Sequence, residues 1–289
     1  MKHVLAAAIA VLFLAPCPAS ASLKDGDDTT PPPERIEIEP DARVKISNIN
    51  GRIEVRVWDQ AAVRLAARYE EKDTHVTFER DGSGVAIEVR PRHRDGRGAT
   101  ADLVVDVPRA ARLDVNSVNA DIRLATGGEL DVSTVNGDAE IETSGSRVSI
   151  ESVNGDIELR AGDVELRAQT VSGDLEVQAK TITDLSAKSV SGDLEFEAQA
   201  LGAGSHGVKT HSGDVKLRLP ESASVHIEMK SFGGRRTLGQ PGADAKLRVK
   251  TFSGDVDLIG PKTSQAPAEP APAGFDPAGA LPPGFVAVF

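Results

Sequence analysis

The sequence predicts an all-β protein: a single-stack β-solenoid with rungs of about 18–21 residues, preceded by an N-terminal β-region. Three observations lead there. One twelve-residue pattern recurs from Leu113 to Leu258: apolar, any, apolar, any, Ser/Thr, apolar, Asn/Ser, Gly, Asp, apolar, any, apolar. Apolar residues alternate with period two on both sides of the glycine, as in Leu130-Asp131-Val132 and Ile157-Glu158-Leu159, which is the signature of short strands with one buried face. Aromatic residues make up only 3% of the chain, which suits a thin scaffold lined with Val, Leu and Ile better than a large globular core.

Taken in chain order, residues 1–21 read as a cleavable secretory signal. Lys2 is followed by an apolar run from Val4 to Ala15 and then by the small residues Ala19-Ser20-Ala21. That run is too short to span a bilayer, and no later segment has the roughly 20 apolar residues a transmembrane helix requires. The only cysteine, Cys17, lies inside the signal, so packing rather than disulfides must hold the mature chain together. Cys17 as a lipid-attachment site is disfavoured by Pro16 beside it. Residues 22–33, with Asp25, Asp27, Asp28 and three successive prolines, read as a disordered lead.

Residues 34–112 read as the N-terminal β-region. A first copy of the pattern runs from Val44 to Val55, and strands follow at Val63 to Tyr69, His75 to Arg80, Val85 to Arg90 and Ala101 to Val107. Their expected role is to cap the open end of the rod, since an uncovered last rung is an unpaired sheet edge.

Residues 113–260 read as the solenoid, in eight contiguous copies that begin at Leu113, Leu130, Val148, Leu166, Leu185, His206, Ile227 and Leu247. Such a unit cannot bury its apolar face alone, whereas stacking buries a continuous column. The alternative treats each Asn-Gly as a hairpin turn and gives an antiparallel meander or sandwich. Residues recurring in register favour vertical stacking, with Ser117, Thr134, Ser152, Thr170, Ser189, Thr210, Ser231 and Thr251 as a hydroxyl ladder. Residues 261–289 hold seven prolines and many alanines without periodicity and read as a disordered tail that ends in the apolar Phe285-Val286-Ala287-Val288-Phe289.

Two columns could carry chemistry. The aspartates after the corner glycine are Asp121, Asp138, Asp156, Asp174, Asp193, Asp214 and Asp255. Stacked at a strand spacing of about 4.8 Å, neighbours would repel by about 0.9 kcal/mol in bulk water. Corner N–H groups can offset that, and so can calcium bridging adjacent rungs, which makes Asp121, Asp138, Asp156, Asp174, Asp193 and Asp214 the candidate metal ligands. No other cofactor is expected. Arg52 and Arg235 replace the aspartate in the first copy and in the copy at Ile227. The second column is Lys188, Lys209, Lys230 and Lys250, a candidate partner-binding stripe for an anionic polymer, with a solvated, ion-paired face as the plainer reading.

No nucleophile constellation is present. His206 and His211 fall on columns that are apolar elsewhere and read as core or rim substitutions rather than zinc ligands. The formal net charge of −11 argues against nucleic acid as a partner.

Repeated corners at Val135 to Asp138, Val153 to Asp156, Val171 to Leu175 and Val190 to Leu194 resemble those of a widespread bacterial domain of unknown function that carries an adhesin label. The resemblance spans about Ile36 to Ile259. It implies an all-β repeat fold at the cell envelope and supplies no catalytic residues. The expectation is a non-enzymatic, exported envelope scaffold or adhesin-like binding protein, periplasmic or at the cell surface, whose partner is an envelope protein or an anionic cell-surface polymer. The alternatives are a β-helix enzyme acting on acidic polysaccharide and a calcium-stabilised structural rod.

Overall fold

The computed structural model describes residues 34–92, 99–220, 223–231, 234–239 and 244–260. The expected signal, lead and tail lie outside the described residues. Within them the regular structure is all strand.

The first six strands are β1 (Glu34–Glu37), β2 (Arg43–Trp58), β3 (Ala62–Tyr69), β4 (Thr74–Asp81), β5 (Gly84–Pro91) and β6 (Thr100–Pro108). The stack continues through β7 (Arg112–Thr126), β8 (Leu130–Asn136), β9 (Ala139–Thr143), β10 (Arg147–Ser152), β11 (Ile157–Ser172), β12 (Leu175–Ser191) and β13 (Leu194–Leu201). It ends with β14 (Gly204–Ser212), β15 (Val215–Arg218), β16 (Val225–Ser231), β17 (Gly234–Gly239), β18 (Ala245–Ser253) and β19 (Val256–Ile259).

Each rung is a strand, a corner and a second strand, so the stack has two parallel columns. The first column runs through the leading half of β2, the leading half of β7, β8, β10, the trailing halves of β11 and β12, β14 and β18. The second runs through the trailing halves of β2 and β7, β9, the leading halves of β11 and β12, β13, β15 and β19. Parallel pairing in register excludes the meander and gives a β-solenoid-like stack. Inward side chains of both columns, such as Leu130, Val132, Ile141, Leu159 and Phe196, form one buried core. The corner glycines hold the left-handed φ the bend requires, as at Gly173 (φ 112°).

Two features differ from the expected order of copies. The copy beginning at Val44 is not separate in space: β2 pairs with β7 along both halves, so it is the rung directly below the one at Leu113. The intervening chain folds outward as the cap. A β4–β5 hairpin covers the first column, and β6, β3 and β1 cover the second by pairing in that sequence.

The copy at Ile227 leaves the stack. β14 pairs directly with β18, and β15 with β19, while β16 lies on the far side of β18 and turns back antiparallel into β17. The rung beginning at Leu247 is therefore the neighbour of the one beginning at His206. The physical reason is the corner: where the other copies from Leu130 on read Asn-Gly-Asp or Ser-Gly-Asp, this one reads Gly233-Gly234-Arg235, and Ser231 pairs opposite Gly234 in a hairpin. Loss of the corner aspartate alone does not do this, because the Val44 copy carries Arg52 there and stays in the stack; the doubled glycine is what sets this corner apart.

Candidate functional site: the two charged faces of the rod

The hydroxyl ladder is structural. Thr134, Ser152, Thr170, Thr210 and Thr251 are buried, and each Oγ donates to the carbonyl two residues on, at 3.0–3.4 Å, which ties the hydroxyl to its own corner. Ladder bonds between rungs come from asparagine amides instead. Asn119 donates to Asn50, Asn136 to Asn119 and Asn154 to Asn136, at 2.7–3.0 Å, and these bonds fix the register of the first four rungs.

The aspartates do stack, and backbone N–H groups partner them across rungs rather than within one turn. Oδ1 of Asp138, Asp156, Asp174, Asp193 and Asp214 each accepts the N–H of the aspartate in the next rung, at 2.8–3.0 Å. Each carboxylate thus satisfies a donor of its neighbour's corner, which compensates the repulsion along the column. Among the described residues no group of three or more His, Cys, Asp or Glu side chains could hold a metal ion.

A direct consequence is that Asp174→Asn, which keeps an acceptor oxygen but removes a charge, should leave the melting temperature unchanged or raise it slightly. Asp174→Ala, which orphans the N–H of Asp193, should cost about 0.5–1.5 kcal/mol. Thermal melts followed by far-UV circular dichroism, with calcium and then with chelator, check both. A large calcium-dependent rise that Asp174→Asn abolishes would instead make the column a metal site.

The outer face of the second column is acidic. A trench of about 490 Å³ runs along it, lined by Asp121, Asp138, Asp156 and Asp174 together with Glu140 and Glu158, and with Arg52 at its lower end. Arg160 pairs with Glu158 of its own rung and reaches the neighbouring rung, at 3.6 Å to Glu140 and 3.8 Å to Glu142.

The outer face of the first column has the opposite character toward the C-terminal end. Lys188 lies beside Lys209, Lys209 beside Lys250, and Lys250 beside Lys230, so the four ammoniums form one aligned, exposed row in the order 188, 209, 250, 230. Among the described residues no carboxylate pairs with any of the four. A groove of about 630 Å³ gathers Lys188, Lys209 and Lys250 with Arg167 and Arg248, against Asp184 as its one carboxylate. Lys230 joins Arg248 and Lys250 in a smaller adjoining groove.

Sequence reading missed a third feature. The apolar residue between the ladder hydroxyl and the corner faces outward: Val118, Val135, Val153, Val171 and Val190 are 40–51% exposed and form a ridge along the first column. Strand parity was the available signal, because inward Leu130, Val132 and Thr134 put Val135 on the opposite side. In the next two rungs His211 and Phe252 take that position and stack with ring centroids 4.9 Å apart. This aromatic pair stands two residues beyond Lys209 and Lys250, on the same face. His206 is a core substitution, 2% exposed, with Nε2 2.8 Å from the Gly202 carbonyl oxygen.

A family model described as Toastrack DUF4097 matches residues 34–259. Among solved structures, a candidate adhesin from Bacteroides fragilis aligns at 13% identity over 78% of this chain and 96% of its own, with a TM-score of 0.47. A candidate lipid-binding protein from Parabacteroides distasonis aligns at 12% identity over 80% of this chain and 95% of its own, with a TM-score of 0.43. A candidate cell adhesion protein from Clostridium sporogenes aligns at 9% identity over 79% and 98%, with a TM-score of 0.29. No curated protein matches the chain.

Proposed function

The chain belongs to the Toastrack DUF4097 family, and from that premise we propose that it is a non-enzymatic, exported envelope scaffold that binds an anionic cell-surface polymer along the basic end of its first column. The observation that supports this most is the aligned row Lys188, Lys209, Lys250 and Lys230, free of described carboxylate partners on a chain of net charge −11. Four like charges in one row repel, and a partner with matching negative charges at a similar repeat turns that cost into attraction. Parallel strands repeat at about 4.8 Å, close to the length of one sugar residue in an extended chain.

The His211–Phe252 pair favours an acidic glycan over a bare phosphate polymer. Sugars present C–H faces as well as carboxylates, and a stacked aromatic surface beside Lys209 and Lys250 can cover such faces. The acidic face opposite repels the same polymer, so it would bind on one side of the rod.

The experiment is a binding titration of the folded chain with polygalacturonate. Recurring contacts make single substitutions mild, so Lys209→Ala should weaken binding only about two- to five-fold. Lys188→Glu with Lys209→Glu and Lys250→Glu should weaken it more than about 100-fold, with the melt unchanged. Turnover of the polymer, lost on a single substitution, would support an enzyme instead.

A further inference from the structure

The corner glycines answer to the backbone. They hold a left-handed φ, and a Cβ there would strike the rung below, as at Gly155, where it would lie 2.3 Å from the Gly137 carbonyl oxygen. Gly207 answers to neither demand: its φ lies outside the left-handed region, and an added Cβ would meet nothing within 4 Å. Any side chain fits its backbone, so what the glycine contributes is open space.

That space lies on the outer face of the first column. Gly207 stands in β14 between buried His206 and buried Val208, so strand parity turns its position outward. It pairs in register with Ser186 on one side and Arg248 on the other. Elsewhere along this row the position carries a side chain, from Lys45 and Asp114 through Arg167 and Ser186 to Arg248. The row is interrupted at Gly207, and the gap spans two strand spacings, about 10 Å.

The interruption falls inside the basic groove. Gly207, Ser186 and Ser205 line it as a low floor beneath its five cations and Asp184. His206 lines the same groove and is 2% exposed. Its Nε2 donates to the Gly202 carbonyl oxygen at 2.8 Å, which leaves Nδ1 of the neutral ring as an acceptor, and among the described residues that atom has no partner. Cations at the rim and an unmatched acceptor at the floor suit a unit that carries hydroxyls as well as a carboxylate.

We infer that Gly207 is a specificity-determining position: it turns the basic row into a shaped seat for one ring of an acidic sugar, held over Gly207 with its carboxylate toward Lys209 and Lys250. This rests on the polymer reading and deepens it. A row of lysines attracts any polyanion, whereas a seat accepts only a unit that fills it. The protein therefore distinguishes an acidic glycan from an anionic chain without rings.

The test is a calorimetric titration of the full chain and of Gly207→Leu with an oligogalacturonate and with poly-L-glutamate of matched charge. Leucine adds bulk and no charge. The expected result is that Gly207→Leu weakens oligogalacturonate binding at least about ten-fold, leaves the weaker binding of polyglutamate unchanged, and melts with the parent. If Gly207→Leu proves less stable, Gly207→Thr, a β-branched residue suited to an exposed strand, decides by the same readout. Equal affinity of parent and variant for the oligogalacturonate overturns the seat and leaves the lysine row standing. An equal loss toward both polymers also overturns it, since the leucine would then disturb the row rather than block a ring. A parent that does not bind the oligogalacturonate overturns the seat and the polymer reading together, so the two failures are distinct.

Discussion

Gly173→Ala is expected to lower the unfolding free energy by about 3 kcal/mol or more, among the largest effects of any single methyl group in the molecule. Gly173 has φ of 112°, a region that costs an L-residue about 1–2 kcal/mol. An added Cβ would also lie 2.3 Å from the carbonyl oxygen of Gly155 in the rung below, a backbone atom that cannot swing aside. Relief would require separating two rungs and breaking the bonds between their corners. Ala120 is an informative exception: it holds the corner of its own rung, and there β7 runs unbroken from Arg112 to Thr126. The Gly173 rung does bend, with strand ending at Ser172 and resuming at Leu175. Gly207→Ala is the matched control, because its Cβ would meet nothing within 4 Å and its φ lies outside the left-handed region. Chemical denaturation of the three proteins should leave Gly207→Ala within a few tenths of a kcal/mol of the parent. Equal stability for Gly173→Ala would contradict the corner geometry.

Phe196→Ala should cost about 3–5 kcal/mol. Phe196 is the largest fully buried side chain and is sandwiched in register between Val177 and Leu217. Removing it leaves a cavity between rungs that the backbone bonds hold at fixed spacing, so the site can collapse only partially. A stack transmits such damage mainly to its neighbours. Hydrogen exchange should therefore rise most in 175–217, and least in the capped rungs that hold Val44 and Leu113. A cost below about 1 kcal/mol, or a uniform rise, would mean that the rungs do not stabilise one another through this column.

Much of this was legible in the sequence because it is local. Period-two alternation gave both strands of each rung, and Asn-Gly and Ser-Gly placed the corners. Stacking in register then brought Asp138, Asp156 and Asp174 into one column and Lys188, Lys209 and Lys250 into another. The spatial order of rungs was not legible. The copy at Ile227 keeps the apolar alternation of the rest, with Val225, Ile227 and Met229 buried, and whether it continues the stack depends on which strand pairs with β18. That is a competition between distant segments, and the local pattern carries only a hint of it at Gly233-Gly234-Arg235. The adjacency of the Val44 and Leu113 copies was hidden likewise by the cap strands between them. Partners of the charged columns were half visible: the need to offset the aspartate repulsion followed from Coulomb's law, but the N–H of the following rung became identifiable only once the register was known.

The most direct test of the account is the affinity of the folded chain for oligogalacturonates of increasing length, measured by calorimetry at low and physiological salt. A row of four lysines at rung spacing predicts that affinity climbs steeply from one to about four sugar residues and then levels off, that it weakens with salt, and that Lys188→Glu with Lys209→Glu and Lys250→Glu flattens the climb. Affinity that does not depend on length, or that survives the triple charge reversal, would contradict a periodic basic face as the binding surface.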